Sequence, residues 1–435
     1  MGNKHTMTDL YQMQSLPLSA KIQMTERRIT EWVDKFGEDG VYVSFSGGKD
    51  STVLLHIARR LFPNIKAMFV DVPTQYPELK RFVMTFENVD IVKPKISFAK
   101  VCEIYGFPLI SKEVSECVSG ARKYLTKLLI ENPQLTDRQT DRQTDKKPPY
   151  RYSYEKLTGT GKYSKFSETL SSADDKSIKN PTRGGMTESI ANYEGLANLL
   201  NKKMKNREGG NNRRLGIMLG MLTKDEKNPI KANIPSEDRS SFSQEKWKFM
   251  LDAPFEVSNK CCNAMKKQPA HKYYRETGRN PIIATMASES RLRTQKWLEN
   301  GCNGFDLKIP TSNPMSFWTE QDVLLYIKER NLRICPVYGN IVTEDESIGQ
   351  MNLSDIMDME EFELDRPILK TTGCDRTGCV LCGFGCHLEK ESRFERLKQT
   401  HPKFHNLLYI LKNNGITYAE AIDWVNEHGH FNIKY

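Results

Sequence analysis

No stretch of this chain approaches the roughly 18 consecutive apolar residues that a membrane-spanning helix needs, so no membrane association is expected. The opening residues, "MGNKHTMTDLYQMQSLPLSAK", hold no apolar segment of the kind that drives secretion, and a cytoplasmic location is the expectation. "MGNKHT" fits a myristoylation pattern only superficially, because no second membrane signal accompanies it. Two common phosphate-binding signatures are also missing. There is no G-x-x-x-x-G-K-[ST] and no G-x-G-x-x-G, which excludes a Walker A loop and a dinucleotide fingerprint. Finally, no cysteine follows Cys386.

The 435 residues are too many for one hydrophobic core and imply two or three domains. Sixty-four basic residues outnumber 55 acidic ones, giving a net charge of +9 that permits nucleic acid or nucleotide anions as partners. Ten cysteines without an export signal argue against a disulfide framework and for metal binding.

Strand and helix patterns alternate at the start. Ile29, Trp32, Val33 and Phe36 share one face of a helix over 20–37. Strand 41–46, helix 52–61, the strand "IKAMFVDV", helix 77–87 and the strand "VDIV" follow. This order predicts a doubly wound α/β fold with a parallel sheet. Residues 126–245 read as a polar insertion, partly helical and partly disordered, with "IANYEGLANLL" and "RLGIMLGML" as its clearest apolar runs. Four segments are expected: a nucleotide-binding part at 1–125, the insertion, the rest of the nucleotide or substrate domain at 246–373, and a Cys-rich, mainly helical segment at 374–435. Inside the insertion, "TDRQTDRQTD" is a four-residue repeat from Thr136 to Asp145. The DNA unit ACAG, read in threes, encodes Thr-Asp-Arg-Gln, so the tract is expected to be a tetranucleotide repeat of a phase-variable gene.

The sequence "SFSGGKDST" joins strand 41–46 to helix 52–61. A glycine-rich turn entering a helix presents free backbone N–H groups and the positive end of the helix dipole to an anion. Gly47 and Gly48 allow close approach, and Ser44, Ser46, Ser51 and Thr52 offer hydroxyls. Lys49 adds positive charge, and Asp50 can cap the helix or hold magnesium. Ser46-Gly47-Gly48-Lys49-Asp50-Ser51 resembles the PP-loop, S-G-G-x-D-S, of the adenine-nucleotide α-hydrolase superfamily. That resemblance implies binding of ATP or a related nucleotide, with cleavage at the α-phosphate and Lys49, Asp50 and Ser51 as catalytic residues. Asp71, at the end of the second strand, is placed to contact ribose or magnesium, or simply to start a turn. Arg279, Arg291 and Arg293 are candidate phosphate ligands.

The later part carries "KCCNAMKKQP" and "TGCDRTGCVLCGFGCHLEKESRFERL". Cys379-x2-Cys382 has metal-ligand spacing, and Cys374 and Cys386 flank it. A tandem Cys-Cys with a later C-x-x-C is similar to the layout in the PAPS/APS reductase family. By that resemblance Cys261, Cys262, Cys379 and Cys382 hold a 4Fe–4S cluster, with Cys374 and Cys386 as alternates and structural zinc as the competing occupant. "GRNPIIATMASESRLR" resembles the nucleotide-contacting strand and loop of that family.

Two departures stand out. The nucleophilic cysteine expected near the C-terminus is missing, and Ala284-Thr285-Met286 stands where a Gly-x-Arg is usual. The tail is closer to PAPS-reductase-like proteins of the DndC type, which act in DNA phosphorothioation, and to those with ParB-like partners and a role in phage defence. The expectation is therefore an ATP-cleaving enzyme that activates a substrate, nucleic acid among the candidates, for sulfur transfer. A sulfonucleotide reductase and a non-catalytic nucleotide sensor with a ParB-like partner are the alternatives.

Cys102, Cys117, Cys302 and Cys335 are isolated and read as small buried residues. His387 and His401 have no obvious base or metal partner. Thr319 and Asp322 make a helix-capping pattern beside a packed Trp318. "SRFERLKQTHPKFHNLLYILKNNG" reads as an amphipathic helical tail with a basic face.

Overall fold

The structure, a computed structural model, describes residues 3–135, 187, 190–205, 211–224, 230–239, 243–343 and 368–435. The TDRQ tract lies outside them. The chain forms two compact units, one of residues 1–98 with 262–380, the other of 99–261 with 381–435. Among the described residues, no helix is long and apolar enough to cross a membrane.

The first unit begins with helices α1 (Met7–Gln14) and α2 (Leu18–Phe36). It continues with β1 (Val41–Ser44), α3 (Lys49–Leu61), β2 (Ala67–Val70), α4 (Pro77–Val83) and β3 (Val89–Val92). Its later part contains α5 (Gln268–Thr277), β4 (Asn280–Ile282), α6 (Arg291–Asn300), β5 (Asn303–Gly304), β6 (Thr311–Ser312) and α7 (Glu320–Glu329). A small antiparallel pair, β7 (Ile341–Thr343) and β8 (Leu369–Thr371), completes it.

Six strands form one sheet in the order β3-β2-β1-β4-β6-β5. All neighbours run parallel except β5 against β6. Val43 pairs with Ala67 on one side and Ile282 on the other. Strand alternation sends Tyr42 to one face, where it packs with Met68 and with Tyr273 of α5. Val41 and Val43 point to the opposite face, and α2 and α3 pack on β1. Ile22, Ile29, Trp32 and Val33 form the buried stripe of α2 at helical spacing. Trp318 is fully buried, and its indole N–H donates to Thr25 Oγ1 at 2.9 Å. The predicted α/β fold is thus present, with a mixed but mainly parallel sheet.

Element bounds shift for local reasons. Helix α3 starts at Lys49 instead of 52, because Gly48 already serves as its N-cap. Helix α4 ends at Val83, before Asn88 turns the chain at φ +55°. Thr319 caps α7 through the expected reciprocal bonds with Asp322.

In the second unit, the helix Lys112–Glu131 packs on the helix Asn211–Met218. The run "IANYEGLANLL" enters the helix Tyr193–Lys205, where Leu196 and Leu200 are fully buried. Leu109–Ile110 pairs in parallel with Gly383–Phe384. A Cβ on Gly383 would lie 2.7 Å from the Tyr418 hydroxyl and 2.9 Å from Pro108 O, so only glycine fits that pairing. The tail is not one helix. It breaks between Arg393–Thr400 and Pro402–His405, because Pro402 forces His401 out of helical geometry (φ −139°, ψ 63°). "LKNNGIT" then forms a hairpin of Lys412–Asn413 with Ile416–Thr417, turning through Asn414 and Gly415 at φ +51° and +86°.

Candidate nucleotide site

The turn between β1 and α3 is built around Gly47, whose φ is +74°. A Cβ there would sit 2.8 Å from Val83 Cγ2 on α4, so both backbone conformation and space require glycine. Ser46 and Ser51 tie the turn to the helix. Ser46 N donates to Ser51 Oγ at 3.2 Å, and the two hydroxyls are 3.1 Å apart. Ser51 and Thr52 hydroxyls both reach Gly48 O, at 3.0 and 2.9 Å. Gly48, the N-cap of α3, has no side chain to cap the helix, so outside groups serve its first amides, as the Tyr338 hydroxyl does for Lys49 N–H.

A cleft of about 320 Å³ opens beside this loop. Ser44, Phe45 and Ser46 line it from the end of β1, Val70 and Val72 from β2, and Pro281 and Ile283 from β4. These are carboxyl ends, and β1/β4 is where the strand order reverses. Ligands of doubly wound sheets bind there, in sites of about 300–1,000 Å³. Tyr42, Met68 and Ala270 supply apolar wall, while Lys266, Lys267 and His271 supply basic groups. The lysines arrive on a single π-helical turn, Asn263–Lys267, directly after the tandem cysteines. Such turns recur at functional sites.

Lys49 is 3 % exposed. Its Nζ donates to Asp375 O at 3.0 Å, pairs with Glu320 Oε1 at 2.9 Å and lies 3.8 Å from Asp50 Oδ1. Its backbone N–H donates to the Tyr338 hydroxyl at 3.1 Å, which lies 2.8 Å from Thr377 Oγ1. Burial pushes the Asp50 carboxyl above its ordinary range, with Lys49 opposing the shift. Asp50 Oδ1 is buried and accepts no hydrogen bond. Arg293 and Arg376 also bear on Asp50, and burial followed by the charge of Arg376 lowers Arg293.

The structure brings Ser44, Ser46, Gly47, Gly48, Lys49, Asp50, Ser51 and Thr52 together, with Arg293 close by. Arg293 is itself ion-paired to Glu289. Arg291 is exposed at the start of α6. Val70 and Val72 line the cleft, whereas Asp71 between them is ion-paired to Lys80 at 2.8 Å. Arg279 donates to Asp39 O and lies 3.8 Å from Asp90. Met286, in the loop that lacks the usual arginine, is buried and heads the 3-10 turn Ala287–Glu289.

No disulfide joins any of the ten cysteines. Cys102, Cys302 and Cys335 are buried as small apolar residues, and Cys117 is half-buried. Cys262, Cys374 and Cys379 belong to the first unit; Cys261, Cys382 and Cys386 belong to the second. Among the described residues, no three His, Cys, Asp or Glu side chains converge in a metal-binding group. Cys374 Sγ donates to the Tyr76 hydroxyl at 3.4 Å, and Cys386 Sγ donates to Gly383 O at 2.9 Å. Burial pushes the Cys386 thiol up to about 12. In the second unit, Tyr418 is fully buried, donating to Pro108 O and Leu381 O at 3.1 and 3.2 Å. Burial, and behind it the neighbouring thiols of Cys386, Cys382, Cys102 and Cys261, pushes its phenol well above the ordinary value. His387 packs edge-on against Trp247 and Phe431, and His401 Nδ1 lies 2.9 Å from Thr400 Oγ1.

Sequence reasoning missed Tyr338, Glu320, Asp375 and Thr377 around Lys49. Lys266 and Lys267 did carry a signal, since they stand in the basic segment after the tandem cysteines.

A parallel sheet, a glycine turn with this serine pairing and a cleft at the switch point define a nucleotide-binding protein of the PP-loop class. The phosphoadenosine phosphosulfate reductase domain matches residues 40–117 and 217–383, more than half of the chain. The chain belongs to that family. A probable FAD synthase of Caenorhabditis briggsae is 26% identical over 95 residues, which cover 20% of this chain and 18% of that protein.

Proposed function

We propose that this protein is an enzyme that binds ATP at residues 46–51, cleaves it at the α-phosphate and activates a substrate for sulfur transfer. The observation that carries this reading is the glycine turn of Gly47 and Gly48 at the switch point, beside a cleft that Ser44, Phe45 and Ser46 line. The loop amides and hydroxyls would hold the phosphates, and the Lys49 ammonium would stabilise charge developing on them. The apolar wall of Tyr42, Met68 and Ala270 suits a purine ring. The likeness to a probable FAD synthase supports a nucleotide-consuming reaction.

Two cofactors accompany the reading. Magnesium fits Asp50, whose buried Oδ1 accepts no hydrogen bond; the ion would offset phosphate charge. For a 4Fe–4S cluster, the ligands we propose are those that the family resemblance implies, Cys261, Cys262, Cys379 and Cys382. The cluster would supply or relay sulfur and electrons. Nucleic acid is the acceptor class we favour, supported by the +9 net charge. The test is pyrophosphate release from ATP by anaerobically purified protein, with and without single- and double-stranded DNA and RNA. Absence of pyrophosphate under all these conditions refutes the enzymatic reading.

A further inference from the structure

The groups with which the loop should greet a phosphate already have partners. The Lys49 ammonium is bonded to Asp375 O, and the Lys49 amide to the Tyr338 hydroxyl. Both partners are neutral oxygens: Asp375 O lies within segment 371–380, and Tyr338 is bonded to it through its carbonyl; the Glu320 carboxylate, which also pairs with the ammonium at 2.9 Å, stands on α7 outside the segment and is not displaced with it. Tyr338 O accepts from Gly373 N at 2.9 Å, and Val337 O accepts from Cys374 N at 2.9 Å. At the far end, Val380 N donates to Thr74 O at 2.8 Å. Between these anchors, residues 372–379 contain no helix or strand. The approach is close. A Cβ on Gly48 would lie 3.2 Å from Thr377 Oγ1 and 3.3 Å from the Tyr338 hydroxyl. A Cβ on Gly373 would lie 2.3 Å from Val337 O. Glycine thus stands both where the loop meets the segment, at Gly48, and where the segment meets 337–339, at Gly373.

We propose that segment 371–380 is a strap that competes with nucleotide phosphate for Lys49, so that nucleotide binding releases it together with Cys374 and Cys379. This rests on the nucleotide reading above. A phosphate oxygen carries charge, so its bonds to an ammonium and an amide are stronger than those of a carbonyl and a phenol. Exchange of partners therefore favours release. The strap carries Cys374, whose thiol bonds Tyr76, and Cys379, so its release changes the setting of two cysteines. Arg376 rides on the same strap, and its departure removes one positive charge from the surroundings of Asp50. Occupancy of the loop and placement of the cysteine segment thus become one equilibrium.

The test is hydrogen–deuterium exchange on the full chain, with and without α,β-methylene-ATP and magnesium, read by mass spectrometry. Peptides over 45–55 should exchange more slowly with nucleotide, while peptides over 371–381 should exchange faster. Slower exchange at 45–55 with unchanged or slower exchange at 371–381 overturns the strap alone. No change at 45–55 overturns the nucleotide reading and the strap with it. Tyr338→Phe removes the competing acceptor without changing charge, and should tighten nucleotide binding about two- to tenfold. Unchanged or weaker binding by a folded Tyr338→Phe variant also overturns the proposal.

Discussion

Replacing Gly47 by alanine separates two costs that the structure places at one residue. The first is conformational. At φ +74° an L-residue is disfavoured by roughly 1–2 kcal/mol. The second is steric. The new Cβ would meet Val83 Cγ2 at 2.8 Å and Leu79 Cδ2 at 3.3 Å, and overpacking of this kind costs about 1–3 kcal/mol. Gly278 provides the control, because it is left-handed at φ +69° and a Cβ added there would meet nothing within 4 Å. Gly278→Ala should show the first cost only, and Gly47→Ala both. The difference of about 1–3 kcal/mol corresponds to roughly 2–12 °C in the melting temperature of a unit this size. Calorimetry of both variants measures it, and ATP titration of the same samples adds a functional reading. Nucleotide binding should be lost in Gly47→Ala and kept in Gly278→Ala. Equal destabilisation of the two variants, or full binding by Gly47→Ala, refutes the account of the loop.

Three further outcomes are expected. Burial raises the Asp50 carboxyl, so its neutral form is favoured in the fold; the stability it contributes is present at low pH and lost as pH rises through the raised value. Asp50→Asn should therefore raise the melting temperature at pH 7, with the gain vanishing below roughly pH 4, and a loss of stability at pH 7 would contradict this. Cys379→Ser and Cys382→Ser should abolish bound iron and the brown colour of anaerobic preparations, whereas Cys386→Ser, whose thiol serves Gly383 O, should retain both; iron assay decides. Gly48→Ala meets no backbone penalty at φ −72°, so its stability should change by no more than about 1 kcal/mol. Its Cβ nevertheless presses on Thr377 and Tyr338, and exchange at 371–381 should quicken without nucleotide.

The parts of this molecule legible in its sequence are those whose determinants are local. Val41 to Leu61 reads as strand, turn and helix because apolar alternation, two glycines and a 3.6-residue period follow one another within one short stretch. The tail departs from its pattern where one residue overrides a period: the amphipathic spacing continues past His401, but the helix cannot continue through Pro402. Asp71 shows a subtler limit. Its place at a strand's end is visible in the sequence, yet side-chain parity decides which residues enter the cleft, and there Val70 and Val72 have the inward parity. What no local pattern encodes is the company of Lys49. Tyr338 and Asp375 lie 289 and 326 positions away in the chain, and no local pattern marks either as a partner of the loop. They matter because a lysine that is 3 % exposed must have both its amide and its ammonium satisfied; Tyr338 serves the first, and Asp375 O with Glu320 the second. Without phosphate the protein does so, and the segment that supplies Asp375 O carries two cysteines. A loop built to attract anions therefore needs a substitute acceptor whenever the anion is away. That requirement, more than the motif itself, ties the glycine turn to the cysteine segment.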